Sequence, residues 1–178
     1  MIPLSVPVIK GNEKKYVDEA ISNGWVSTSG SYVTRFEHEM ADYLKIKQTA
    51  AVQSGTAALH LSYLLSGVKP GQEVIVPALT FIAAVNPVKY LGAEPVFMDC
   101  DDSLNMDCQK LEDFLKKECT KTTLGLRNNK SKRIITAITV VHVFGNMADM
   151  ETLVRLADEY GLKLIEDATE ALGTRYTD

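Results

Sequence analysis

Apolar residues along this chain switch between two rhythms. Tyr16, Val17, Ala20 and Ile21 fall on one face and predict a helix over 12–23, with Gly24 as its stop. Val33, Phe36, Met40, Tyr43 and Leu44 predict a second amphipathic helix. Beyond it, short apolar runs alternate with helical ones. Strands are predicted at 49–53 (TAAVQ), 73–77 (EVIVP), 94–100 (EPVFMDC), 133–143 (RIITAITVVHV) and 162–167 (LKLIED). The 133–143 run is uninterrupted, as expected of a strand buried on both faces. Helices are predicted to open at Ser54, to cover 80–92 with a kink at Pro87, and to cover 106–118 with Asp107 as N-cap. A last helix runs from its Asp149 cap to its Gly161 stop.

The order βαβαβαβαβ predicts an α/β fold, a mainly parallel sheet with helices on both faces. We divide the chain into an N-terminal helical segment, 1–46, and an α/β core, 47–178. One stretch breaks the rhythm. Residues 116–133 are polar, carry seven Lys and Arg, and read as a solvated loop or, less simply, as a rim of a subunit contact or substrate site.

Composition narrows the classes. Apolar content of 46% and charged content of 24% are those of an ordinary soluble domain with a core. A net charge of −4 argues against nucleic acid as the main partner. The opening MIPLSVPVIKG lacks a charged n-region, and no apolar run reaches membrane-spanning length, so neither a signal peptide nor a membrane span is expected. Cys100, Cys108 and Cys119 show no CxxC spacing and read as free thiols of a cytoplasmic protein.

Ligands of parallel α/β sheets bind beyond the carboxyl ends of the strands, so the candidate chemistry lies there. Ser54-Gly55-Thr56 opens a helix directly after the first predicted strand. It is either a plain N-cap or a phosphate cradle, in which unpaired helical N–H groups and two hydroxyls face an anion. It is not a GxxxxGK[ST] loop, and no GxGxxG occurs, which disfavours ATP and dinucleotides. Phe81 follows the second strand as a core residue or as a surface for a flat ring. His142 ends the fourth as a satisfied core histidine or a site residue. With His38 and His60 elsewhere and no second ligand at metal spacing, zinc is not expected. Glu166-Asp167 close the fifth strand, and a carboxylate there needs a cap, a salt bridge or a ring cation. Phosphate, flat ring and ring cation are together the three handles of pyridoxal 5′-phosphate.

The segments GWVSTSG (24–30), QSGTAALHL (53–61), EVIVPALTFIAAVNPVKYLGAEPVFMDCD (73–101), VVHVFGNMADM (140–150) and LIEDATEALGT (164–174) resemble, in this order, the DegT/StrS family of pyridoxal-phosphate-dependent sugar aminotransferases. The resemblance implies the aspartate aminotransferase-like fold type I, of which this chain would be an incomplete large domain. It implies that Gly55 and Thr56, with Ser54 beside them, hold the cofactor phosphate, that Phe81 stacks on the ring, and that Asp167 partners the pyridine nitrogen. Glu170 stands where the family more often has Gln or His, near the cofactor face, while Trp25, Ser27, Thr28 and His142 are expected near the substrate.

The family's Schiff-base lysine comes later in its chains, and no Lys here follows Asp167. The chain therefore reads as an amino-terminal portion of a longer enzyme, one expected to be inactive alone and homodimeric when complete. The phrases TFIAAVNPVKYLGAEP and EDATEALGT look most like the branch that moves an amino group, with glutamate as the expected donor, to C4 of a UDP-linked 4-keto-6-deoxy-2-acetamido sugar for bacterial surface glycans. The alternatives are a keto-sugar dehydratase of the same fold, with histidine in place of the lysine, and a non-catalytic cofactor-binding regulator.

Overall fold

The computed structural model describes residues 2–3 and 6–176, in two compact units, Met1–Val52 and Gln53–Asp178. The first holds α1 (Glu13–Ser22) and α2 (Ser31–Leu44). Residues 49–53, predicted as a strand, are not one. The Ala51 N–H donates to Glu37 Oε1 at 2.9 Å, and the Thr49 hydroxyl donates to the Glu37 carbonyl at 2.7 Å. A donor that a ladder would need is thus taken by α2. The same bonds tie Thr49 and Ala51 to α2, and the first compact unit runs to Val52.

The second unit holds β1 (Glu73–Pro77), β2 (Glu94–Met98), β3 (Cys119–Thr122), β4 (Gly125–Asn128), β5 (Ile134–Val141) and β6 (Lys163–Asp167). Its helices are α3 (Gly55–Leu65), α4 (Asn86–Tyr90), α5 (Cys108–Glu118) and α6 (Met150–Tyr160). The six strands form one open sheet in the order β2-β1-β5-β4-β3, with β6 also paired to β5. The pairings β1 with β2, β1 with β5, and β5 with β6 are parallel. Those of β4 with β3 and with β5 are antiparallel. β5 is the hub. β1 runs along one edge, while the other edge takes β4 at residues 134–135 and β6 at 137–141.

The antiparallel hairpin is built from the basic stretch that read as a solvated loop. Leu126 and Asn128 turn inward and are buried, while Gly125 and Arg127 alternate with them. Over four residues, among seven cations, that alternation is too short to read as a strand.

Each face of the sheet carries its own core. Ile75, Ile138 and Val140 pack with Leu111 and Leu115 of α5 and Leu153 and Leu156 of α6. Val74, Val76, Ala137, Val141 and Ile165 pack on the opposite side with Leu59 and Tyr63 of α3 and Val88 of α4. This is the two-residue alternation of strands covered on both faces.

The helix ends follow their caps. Asp107 accepts from the N–H groups of Gln109 and Lys110, each at 3.0 Å, and Asp149 accepts from Thr152 N–H at 3.1 Å. The single helix predicted over 80–92 is instead a 3₁₀ turn at Ile82–Ala84 followed by α4. Pro87 lies in the first turn of α4, where its missing N–H leaves no bond unmade, so it starts a helix rather than kinking one.

Candidate functional site

The carboxyl ends of β1, β5 and β6 and the N-terminus of α3 surround a cavity of about 520 Å³. That is the size of a small-molecule site, for which the usual range is about 300–1,000 Å³. Gly55, Thr56, Phe81, Asp167 and Glu170, singled out from three separate segments of sequence, all line it. Apolar side chains, among them Leu59, Leu79 and Val141, supply much of the remaining wall.

At one end stands the start of α3. Ser54 has extended backbone and its Oγ accepts from Ala57 N–H at 3.2 Å, so it is the N-cap. Ala58 N–H bonds to the Ser54 carbonyl at 3.0 Å. Among the described residues no hydrogen bond takes up the N–H groups of Gly55 and Thr56. Two donors at the positive end of an 11-residue helix thus remain for an anion. The cap and the cradle are not rivals here, because Ser54 serves one pair of N–H groups and leaves the other.

Phe81 has extended backbone just before the 3₁₀ turn and is 80% exposed, which removes the core reading and leaves its ring to the cavity. Asp167, the last residue of β6, has one oxygen fixed: Oδ1 accepts from Thr169 N–H at 3.1 Å and from the Thr169 hydroxyl at 2.6 Å. Its Oδ2 has no hydrogen bond among the described residues. A carboxylate anchored on one side, in a largely apolar cavity, is suited to a cationic ligand group.

His142 is placed differently from a substrate-contacting residue. Its ring is fully buried, is not among the cavity-lining groups, and has both nitrogens engaged. Nδ1 accepts from Ala148 N–H at 3.2 Å, so the ring proton lies on Nε2, which donates to Glu166 Oε1 at 3.0 Å. This bond holds the Glu166 carboxyl below its ordinary range, against the opposing effect of partial burial.

Tyr63 of α3 is also fully buried. Its hydroxyl donates to the Ala84 carbonyl at 2.7 Å and therefore accepts from Thr139 Oγ1, also at 2.7 Å. One phenol thus ties α3, the turn after Phe81 and β5. Burial pushes it up to about 12, and the charge of Asp167 adds to the shift.

The family model of the DegT/DnrJ/EryC1/StrS aminotransferases matches residues 7–178. The chain belongs to this family. Among relatives, GDP-perosamine synthase of Vibrio cholerae is 42% identical over 175 residues, covering 98% of this chain and 43% of that protein. The aminotransferase from Psychrobacter cryohalolentis superposes with a TM-score of 0.82 at 30% identity, covering 98% of this chain and 41% of that one. NtdA from Bacillus subtilis, solved with bound cofactor PMP, gives 0.76 at 31% identity over 90% of this chain and 33% of its own. The chain thus spans less than half the length of the relatives it matches.

Within this DegT/DnrJ/EryC1/StrS chain, Trp25, Ser27 and Thr28 belong to the first unit, where Trp25 is exposed and its Cβ lies 3.2 Å from the place of an added Cβ on Gly30. Sequence reading missed Thr169, Tyr63 and Phe144. Asp-x-Thr is a turn signal that could have shown Thr169, and an aromatic before glycine at a strand end could have shown Phe144. Nothing in the sequence marks Tyr63 out from other apolar-face residues of its helix. Among the described residues, no helix is long and apolar enough to cross a membrane, and no group of three His, Cys, Asp or Glu is placed to hold a metal.

Proposed function

We propose that this chain carries the cofactor cleft of a pyridoxal-phosphate-dependent sugar aminotransferase, which moves an amino group from glutamate to a nucleotide-linked keto sugar. One observation carries the reading. Asp167, with one oxygen fixed by Thr169, shares a cavity with the free N–H groups of α3 and the exposed ring of Phe81. An anion site, an aromatic face and a carboxylate fit the phosphate, ring and ring nitrogen of this cofactor.

In this reading Gly55 and Thr56 bind the phosphate through backbone N–H, and the Thr56 hydroxyl adds a donor. Gly55 keeps the approach open, since an added Cβ would meet only Thr169 Oγ1, at 3.8 Å. Phe81 would offer the cofactor ring an aromatic face. Asp167 Oδ2 would hold a proton on the pyridine nitrogen, because a neighbouring negative charge favours the protonated form. Thr169 orients that carboxylate, while Leu59 and Val141 exclude water and strengthen the pairing. When bound, the cofactor supplies the electron sink that transamination requires. We propose that the whole protein anchors the cofactor through a lysine, works as a cytoplasmic homodimer, and uses Trp25, Ser27 and Thr28 in substrate binding.

The finer proposal is transfer to C4 of a UDP-linked 4-keto-6-deoxy-2-acetamido sugar. A second reading, a GDP-linked 4-keto sugar, is favoured by the identity with a protein named as a GDP-perosamine synthase. Incubating the whole protein with ¹⁵N-glutamate and each keto sugar nucleotide tests both. Labelled amino sugar from one of them is the expected result, lost in Asp167→Asn. Label transfer unchanged in that variant would overturn the assignment of Asp167.

A further inference from the structure

Two aromatic rings, not one, are exposed in the cavity. Phe144 is 77% exposed and lines the same space as Phe81, from the turn that follows β5. Its backbone is left-handed, with φ of 56° and ψ of 24°, a conformation that residues with a Cβ disfavour. Such a turn persists only where its surroundings hold it, and here the hold is visible. Glu170 Oε2 accepts the Phe144 N–H at 2.7 Å. The Thr174 hydroxyl donates to the Gly145 carbonyl at 3.1 Å. Gly145, with φ of 81°, is packed so closely that an added Cβ would lie 3.0 Å from the Glu170 carbonyl oxygen. The turn after β5 is thus fastened to the segment after Asp167.

We propose that Glu170 is a positioning residue, whose carboxylate locks the left-handed turn so that Phe144 presents its ring as the substrate-side wall of the cavity. The inference rests on the aminotransferase reading. In it Phe81 takes the flat cofactor ring, which leaves Phe144 for the second ligand. A hexose offers an aromatic ring the apolar C–H face that a glutamate side chain lacks, so the wall serves the sugar nucleotide rather than the amino donor. This also gives Glu170 work suited to an ionised carboxylate, which accepts hydrogen bonds and donates none. A glutamine could do the same through its amide oxygen.

The test uses Glu170→Ala, Glu170→Gln and Phe144→Ala in the whole protein, with three readouts. The first is exchange of the Phe144 amide by NMR, which reports the lock without any cofactor. Exchange is expected to be slow in wild type and Glu170→Gln and at least about tenfold faster in Glu170→Ala. The second is binding of pyridoxamine 5′-phosphate, expected to stay within about threefold of wild type in all three variants. The third is binding of UDP-N-acetylglucosamine and GDP-mannose, which lack the ketone and cannot turn over. The preferred one should weaken about tenfold in Glu170→Ala and Phe144→Ala, and little in Glu170→Gln. A double variant should be no worse than either alone.

Equal exchange in Glu170→Ala and wild type would overturn the lock. Glu170→Gln as impaired as Glu170→Ala, or weaker cofactor binding without a change in sugar nucleotide binding, would overturn the positioning role in favour of direct action on the cofactor. Failure of wild type to bind pyridoxamine phosphate would sink the aminotransferase reading, and with it the assignment of the wall to a sugar, whatever the exchange shows.

Discussion

His142 Nε2 and Glu166 Oε1 lie 3.0 Å apart, and that bond divides two adjacent carboxylates between two tasks. β6 pairs with β5 so that Val140 faces Glu166 and Val141 faces Asp167. Neighbouring side chains on a strand leave it on opposite sides. Glu166 reaches a buried imidazole, while Asp167 turns to the cavity. Both nitrogens of His142 are satisfied inside the protein, so this pair fixes the strand ends on which the cavity stands.

The pair should be visible in acid unfolding. The folded-state carboxyl of Glu166 titrates below its ordinary 4.5, so its contribution is present above that value and is lost as pH falls below it. Glu166→Gln keeps an acceptor for His142 without that titration. Urea unfolding at neutral pH should show this variant less stable than wild type by about the amount that wild type loses on protonating Glu166, and its fall in stability below about pH 4.5 should be shallower. Glu166→Leu, which leaves the Nε2 proton unpaired, should cost about 1–3 kcal/mol at neutral pH. Identical acid slopes in wild type and Glu166→Gln would refute the pairing.

Tyr63 makes the opposite prediction, at alkaline pH. Its folded value is raised from 10.0 to about 12. The stability gained by keeping the phenol protonated is therefore complete below pH 10 and is lost between about 10 and 12. Tyr63→Phe should cost about 1–3 kcal/mol at neutral pH, because Thr139 and the Ala84 carbonyl lose their shared partner. The same variant should lose less stability than wild type over the alkaline window. Urea unfolding curves collected up that pH range decide it.

Ser54 separates capping from anion binding. Ser54→Ala removes the acceptor for Ala57 N–H and should cost about 1 kcal/mol. Ser54→Asp restores the cap but sets a negative charge where the phosphate should lie. It should be as stable as wild type and bind pyridoxamine phosphate at least about tenfold more weakly. Unimpaired binding in Ser54→Asp would move the phosphate away from α3.

Much of this arrangement is legible in the sequence because burial on both faces writes long apolar runs. β1 and β5 are such strands, and the residues just past them and past the shorter, half-buried β6, together with the start of α3, do meet in one cavity. Long-range register was not legible. Glu166 and His142 are 24 residues apart, and only the pairing of β5 with β6 brings them together. The hairpin of β3 and β4 hid among cations because each of its strands has four residues. Residues 49–53 looked like a strand because composition cannot show that their donors are taken by Glu37. The residue type of Phe144 does not announce its left-handed backbone, since the carboxylate that accepts its N–H comes from Glu170 in another segment.

The most direct test of the central claim is equilibrium dialysis of pyridoxamine 5′-phosphate against the chain and its Asp167→Asn variant. Saturable binding of one ligand per site, weakened at least about tenfold by the substitution while the unfolding midpoint stays unchanged, is the expected result. Equal affinity in both proteins, or no saturable binding to either, would contradict the cofactor cleft described for Asp167, Phe81 and the start of α3.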